Sequence, residues 1–239
     1  MQDTAALGTI LGVWAHPDDD IFLSAGLMAT AVRNGQRVVD VTATRGEGGS
    51  MDEEKWPPEK MGEVRTAELE RSLDILGVRE HHWFDMKDVD METGLPEEGF
   101  GRVRELVADI QPDTILTFGP DGMTDHAAHK DVSTWATTAL QEVGKPGSRV
   151  LYATVTPEWA AEFVPIWEPF NVFRPGTPPI TPRDELAVYY ELPDDVLEQK
   201  VNAINAHVSQ VESILEAVGP QVWWREMSFE AFRLGQERS

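Results

Sequence analysis

Five short runs of strand-forming residues, each followed by helix-forming residues or a polar turn, constrain this chain more than any other feature. They are GTILGVWA (8–15), RVVDVTAT (37–44), EHHWFD (80–85), DTILTFG (113–119) and RVLYATV (149–155). The first is continuously apolar, which fits a strand buried on both faces. Between the runs lie SAGLMATAVRNG (24–35), with Ser24 read as an N-cap and Gly35 as a stop, and helices over 58–77, 98–110 and near 126–142. Strands alternating with helices at this spacing form right-handed βαβ units. The pattern predicts an α/β fold: a Rossmann-like, doubly wound, mostly parallel sheet flanked by helices, with residues 1–239 as one domain.

Past residue 155 the alternation stops. The stretch 157–182 holds 7 of the 16 prolines and predicts an extended excursion or a lid. A long amphipathic helix is expected over 194–217, with Leu197, Val201, Ile204, Val208, Val211 and Leu215 on one stripe.

Composition removes several function classes. The chain has no cysteine, so a disulfide, a thiolate metal site and a cysteine nucleophile are excluded. With 42 acidic against 20 basic residues and a net charge of −22, it lacks a basic face to displace nucleic-acid counterions. No window reaches the roughly 18 unbroken apolar residues of a membrane span. The N-terminal MQDTAALGTI has neither the basic region nor the apolar core of a signal peptide. These features predict a cytoplasmic protein without nucleic-acid or membrane partners, and leave homo-oligomerisation open.

Chemistry concentrates behind two of the runs. His16, Asp18, Asp19 and Asp20 follow the first, and His126 and His129 follow the fourth. In open parallel sheets, ligands bind beyond the carboxyl ends of the strands. Two histidines and one or two carboxylates meeting there are a metal-binding set. With no sulfur available, Zn²⁺ in a two-histidine, one-carboxylate site is the natural occupant, one per chain, with other divalent metals possible. The GEGG tetrapeptide (46–49) is too short for a dinucleotide-binding G-x-G-x-x-G and follows the second run rather than the first.

In its motifs the chain resembles the PIG-L/LmbE-like family of zinc-dependent N-deacetylases. AHPDDD (15–20) matches A-H-P-D-D-E, TRGEGG (44–49) matches T-x-G-E-x-G, and GEVRTAELERSLDILGV (62–78) matches a G-E-x-R-x-x-E-L helix closing on L-G-V. DMKDVDM (85–91), GPDGMTDHAAH (119–129) and AHVSQ (206–210) match three later segments. The resemblance implies His16, Asp19 and His129 as zinc ligands, Asp18 as general base and His126 as the imidazole that stabilises the oxyanion, a donor to it when protonated. It also implies Glu47, Arg65, Asp88 and Met91 as lining a sugar pocket. The implied activity is removal of the N-acetyl group from an N-acetylglucosamine-containing small molecule. Two rivals remain: an amidase for a larger thiol- or glyco-conjugate, and a non-catalytic metal- or sugar-binding module.

Two positions depart from the family pattern. Asp20 stands where the family has Glu, and Ala128 stands where H-P-D-H has its Asp. Asp125 or Asp131 is a candidate to replace that lost carboxylate. His81 and His82 match no motif and read as structural; His207 reads equally as a site residue or as the flank of the helical stripe.

Overall fold

Strands buried on both faces occupy the centre of the sheet, and the edge strand is half exposed. The computed structural model describes residues 4–88 and 90–238; Val89 of the DMKDVDM segment and the extreme ends of the expected 1–239 domain lie outside them. In chain order the first part runs β1 (Ile10–Trp14), α1 (Asp19–Arg33), β2 (Val38–Thr44), α2 (Pro58–Leu76), β3 (Glu80–Met86) and α3 (Glu98–Ile110). It continues through β4 (Thr114–Thr117), α4 (Gly122–Asp125), α5 (Ala127–Val143) and β5 (Arg149–Ala153). Every residue of β1, β2 and β4 is buried, whereas β3 alternates.

All seven strands belong to one sheet of order β3-β2-β1-β4-β5-β7-β6, in which β6 is Val188–Glu191 and β7 is Phe229–Glu237. The first five are parallel, and β7 runs antiparallel to both neighbours. The doubly wound, mostly parallel expectation is therefore met. The strand order reverses between β1 and β4, which opens a crevice at their carboxyl ends. Both motif-bearing loops leave the sheet there.

The structure corrects the sequence reading in three places. First, α1 starts at Asp19, five residues before the expected cap at Ser24. Ser24 lies inside the helix and donates to Asp20 O at 2.8 Å. The aspartates are themselves the helix start, where carboxylates meet the positive end of the helix dipole. Second, the stretch 157–182 is not wholly extended, because Pro157–Trp167 forms a helix, α6. Pro157 stands at its first turn, where a missing N–H costs nothing, and Thr156 accepts from Trp159 N as cap. Third, the expected 194–217 helix is two, α7 (Asp194–Ile204) and α8 (Val208–Val218), followed by α9 (Pro220–Glu226). The break falls at Asn205, whose Oδ1 accepts from Trp223 Nε1 at 3.0 Å.

α1, α2 and α7 pack on one another, and α3 packs on α5. No helix among the described residues is long and apolar enough to cross a membrane.

Candidate metal and catalytic centre

The turn after β1 is built by its own aspartates. Asp18 adopts φ 116°, ψ −28°, a region where a non-glycine residue carries strain of about 1–3 kcal/mol. The next carboxylate closes the turn, Asp19 Oδ2 accepting from His16 N at 2.7 Å. On the far side of the crevice, α4 and the head of α5 present the other two imidazoles. His126 caps α5, with Nδ1 accepting from Ala128 N at 3.2 Å.

Four side chains converge. His16 Nδ1 lies 3.1 Å from His129 Nε2, 3.6 Å from Asp19 Oδ2, and Asp19 Oδ1 lies 3.5 Å from His129 Nε2. The nearest ring nitrogens of His16, His126 and His129 all fall within 4.8 Å of one another. Phe118, just past β4, stacks flat on His129 with centroids 4.0 Å apart.

Neighbouring acceptors decide what each imidazole offers. His16 Nε2 donates to Asp88 Oδ1 at 3.2 Å, and His129 Nδ1 donates to Gly122 O at 2.8 Å. The remaining ring nitrogens, His16 Nδ1 and His129 Nε2, face each other across 3.1 Å; the proton that His16 holds in the free protein, or a cation in its place, joins them. Separations of 3.1–3.6 Å also suit nitrogen and oxygen donors around a cation at about 2.0–2.2 Å. His126 is different. Its Nδ1 accepts from the Ala128 N–H at 3.2 Å, so in this arrangement the neutral ring carries its proton on Nε2 and presents a donor beside the other two imidazoles. The residues therefore fit a divalent cation with His16, Asp19 and His129 as its donors.

Three consecutive aspartates acquire three different proton affinities. Burial lifts Asp18 to about 7, although the Arg65 guanidinium at 3.0 Å opposes the shift. Burial would also raise Asp19, but His129 and His16 outweigh it and hold the carboxyl below the usual range. Asp20 is fully buried, and burial together with Asp40, Asp19 and Asp18 holds it well above that range. For His16, hydrogen bonds to Asp19 and Asp88 overcome burial and raise it to about 9.

His126 and His129 are both pushed down to about 4, chiefly by burial. Near neutral pH the His126 ring is therefore uncharged, and the donor it offers is its Nε2–H. Neither candidate replaces the carboxylate lost at Ala128. Asp125 pairs with Lys130, Asp131 accepts from Leu95 N at 2.6 Å, and Ala128 is packed in the core.

The remaining sequence-singled residues spread over two kinds of place. Arg65 is buried beneath the site, donating to Pro17 O at 2.6 Å and to Asp18 Oδ2. Its approach requires glycine: a Cβ at Gly46 (φ 67°) would lie 2.3 Å from the guanidinium, and one at Gly49 would lie 2.4 Å away. Glu68 is equally buried and accepts from Ser209 N and Oγ at 2.7 Å, so an exposed Arg65–Glu68 pair is ruled out. Asp88 divides its carboxylate between His16 and Gly48 N, while Glu47 Oε2 accepts from Asp88 N at 3.3 Å. Asp88 and Met91 border a polar mouth beside the histidines, together with Asp90, Glu92 and Arg174.

His81 stacks edge-on against Trp83 in the edge strand. His207 is wholly buried at the head of α8, and neither ring nitrogen has a hydrogen-bond partner among the described residues. Phe118 and Arg174 escaped the sequence reading. The position of Phe118 directly after a strand was the available signal; nothing local marks Arg174.

A family model described as PIG-L, GlcNAc-PI de-N-acetylase, matches residues 11–140, more than half of the chain. A 1D-myo-inositol 2-acetamido-2-deoxy-alpha-D-glucopyranoside deacetylase from Kineococcus radiotolerans is 28% identical, over 88% of this chain and 71% of its own. The enzyme of the same name from Saccharomonospora viridis is also 28% identical, over 88% of this chain and 86% of its own. Among solved structures, the N,N'-diacetylchitobiose deacetylase from Pyrococcus horikoshii superposes with a TM-score of 0.70 at 20% identity, covering 95% of this chain and 83% of that one. GalB, a 4-carboxy-2-hydroxymuconate hydratase from Pseudomonas putida, superposes at 0.64 with 17% identity, covering 97% and 98%. Two different reactions on one architecture mean that the superpositions speak for the fold alone.

Proposed function

Because the chain belongs to the PIG-L family, described as GlcNAc-PI de-N-acetylases, we propose that it is a metal-dependent amide hydrolase that removes the acetyl group from an N-acetylglucosamine-containing small molecule. Its relatives' names carry an acetamido sugar joined to inositol, and a sugar of that kind suits the polar mouth. The whole chain serves as one catalytic domain, with Zn²⁺ as the metal. One observation supports the reading above others: His16 Nδ1, His129 Nε2 and the Asp19 carboxylate meet at one point, flanked by a second carboxylate lifted to about 7 and a neutral N–H donor.

His16, Asp19 and His129 would hold the metal. Asp88 and Gly122 O hold the two imidazoles in the tautomers that leave Nδ1 and Nε2 free, as outer partners of metal-bound histidines do. When bound, a divalent cation supplies a Lewis acid for the amide carbonyl and acidifies a water. Asp18, with an affinity near neutrality, takes the proton of the attacking water and returns it to the departing amine. Arg65 fixes the Asp18 carboxylate. The His126 Nε2–H donates to the carbonyl oxygen as it gains charge, a contribution typically worth about 10²–10³ in rate.

The test is amine release from N-acetylglucosaminyl-inositol and N,N'-diacetylchitobiose after loading with Zn²⁺, Co²⁺ or Fe²⁺. Metal-dependent release is expected. Metal uptake without release from any N-acetylated sugar would favour the non-catalytic module instead.

A further inference from the structure

The candidate centre borders two spaces of opposite character. One is the polar mouth. The other is a cavity of about 270 Å³, and Asp18, Asp19 and His129 line both. Away from these three, the cavity's principal walls are Phe22, Phe118, Trp159, Trp167, Val172 and Phe173.

The charged groups that reach this cavity are engaged with the protein. Lys200 Nζ donates to Glu230 Oε1 and to Phe22 O, both at 2.8 Å. Glu230 also accepts from Gly26 N and Leu27 N. Glu226 Oε1 accepts from Trp167 Nε1, and burial lifts its carboxyl to about 7; its Oε2 is the one oxygen of the three side chains without a partner among the described residues. Apart from that one oxygen, what remains for a ligand is an aromatic and aliphatic surface beside the reacting centre.

An acetyl group brings a single methyl to such a space. An apolar cavity of about 150 Å³ accepts benzene, with six carbons, so this one has room for roughly ten. Water against these walls is unfavourable, and every methylene that replaces it gains from burial. An N-acyl amino sugar divides chemically as the centre does: a polar ring, an amide carbonyl and an apolar chain.

Resting on the amide-hydrolase reading above, we infer that the cavity holds the substrate's acyl chain and that the enzyme prefers N-acyl groups of about six to ten carbons to acetyl. Hydrolysis consumes one water. The carbon–nitrogen bond of the amide breaks and a carbon–oxygen bond forms. The nitrogen leaves as the sugar's amine with the proton carried by Asp18, and the chain leaves as a carboxylate.

N-acetyl-, N-butanoyl-, N-hexanoyl- and N-octanoylglucosamine separate the alternatives. Amine release by the Zn²⁺-loaded protein is compared along the series, and binding to the metal-free chain is measured by calorimetry. The octanoyl compound is expected to exceed acetyl by at least about tenfold in kcat/KM, with tighter binding in the same order. Val172→Trp or Ala231→Leu, each narrowing the cavity, should cut the octanoyl-to-acetyl ratio by about tenfold. Amine release that is highest for acetyl and falls steadily as the chain lengthens would overturn the cavity assignment while the deacetylase reading stands. A ratio untouched by both folded variants would overturn it too. No amine from any compound, with octanoyl still bound more tightly than acetyl, would sink the hydrolase reading and leave the acyl cavity in place.

Discussion

At residue scale, the division of labour among adjacent aspartates comes from what each carboxylate touches. Asp18 meets Arg65, Asp19 meets two imidazoles, and Asp20 is buried among other acids. Asp18→Asn should fold, because Asn tolerates the left-handed backbone at this position. It should bind metal like the parent and lose at least about 10²-fold in kcat. Asp19→Asn should lose metal affinity as well; equal metal loss in both variants, read by metal analysis, would contradict these roles. For His126, a neutral donor predicts that His126→Ala loses about 10²–10³ in kcat while His126→Gln, which keeps an N–H, recovers part of it. With the ring already uncharged above about 4, neither variant should move the alkaline limb of kcat/KM. An alkaline limb that shifted with His126→Gln would restore a protonated imidazole to the mechanism.

The element that ties the late part of the chain to the centre is α1. Its ladder is entered from outside: Glu230 of β7 accepts from Gly26 N and Leu27 N, and Lys200 of α7 donates to Phe22 O. The Lys200–Glu230 pair is almost fully buried, at 1% exposure for each side chain. Removing one partner of such a pair leaves an unpaired buried charge, at a cost of about 3–5 kcal/mol. Lys200→Met should therefore lower the urea midpoint strongly, and adding Glu230→Gln should recover part of the loss. A double variant no more stable than Lys200→Met would show that packing, not charge, holds α7 to α1. The same elements explain what was hard to read. Prolines cluster in 157–182 because one opens α6 and others shape the turns after it, so their number alone did not distinguish a helix start from a lid.

On the scale of the whole molecule, burial has placed an ionisable group where pH acts on folding. Glu226 is 5% exposed, and burial raises its carboxyl to about 7 against the favourable contacts of Trp167 and Lys200. A carboxyl with a raised folded-state pKa contributes its full stability below the unfolded value of about 4.3. It loses that stability as pH rises toward about 7 and changes nothing further above it. Glu226→Gln keeps an acceptor for the Trp167 indole and does not titrate. Its stability relative to the parent should thus rise between pH 5 and 7 by on the order of 2 kcal/mol, then level off. A difference that stays flat across this range would mean that Glu226 ionises normally in the folded protein.

The sequence alone determined the βαβ order, the parallel core and the two loops that carry the chemistry. These follow from local rules: a strand buried on both faces must be apolar throughout, and a helix must repeat its apolar positions. His16, Asp18, Asp19, His126 and His129 were legible because they stand directly behind such strands. Their meeting depended on strand order, which sets β1 beside β4 although more than a hundred residues separate them. Which carboxylate is charged, which tautomer each imidazole adopts and where Arg65 rests were decided only in three dimensions. Asp88, Gly122 O and the Gly46 turn exert those effects through contacts that no local pattern records. The antiparallel β6 and β7 and the aromatic cavity likewise appear only once α6, α7 and β7 have packed on α1, because desolvation and donor geometry are properties of the assembled chain.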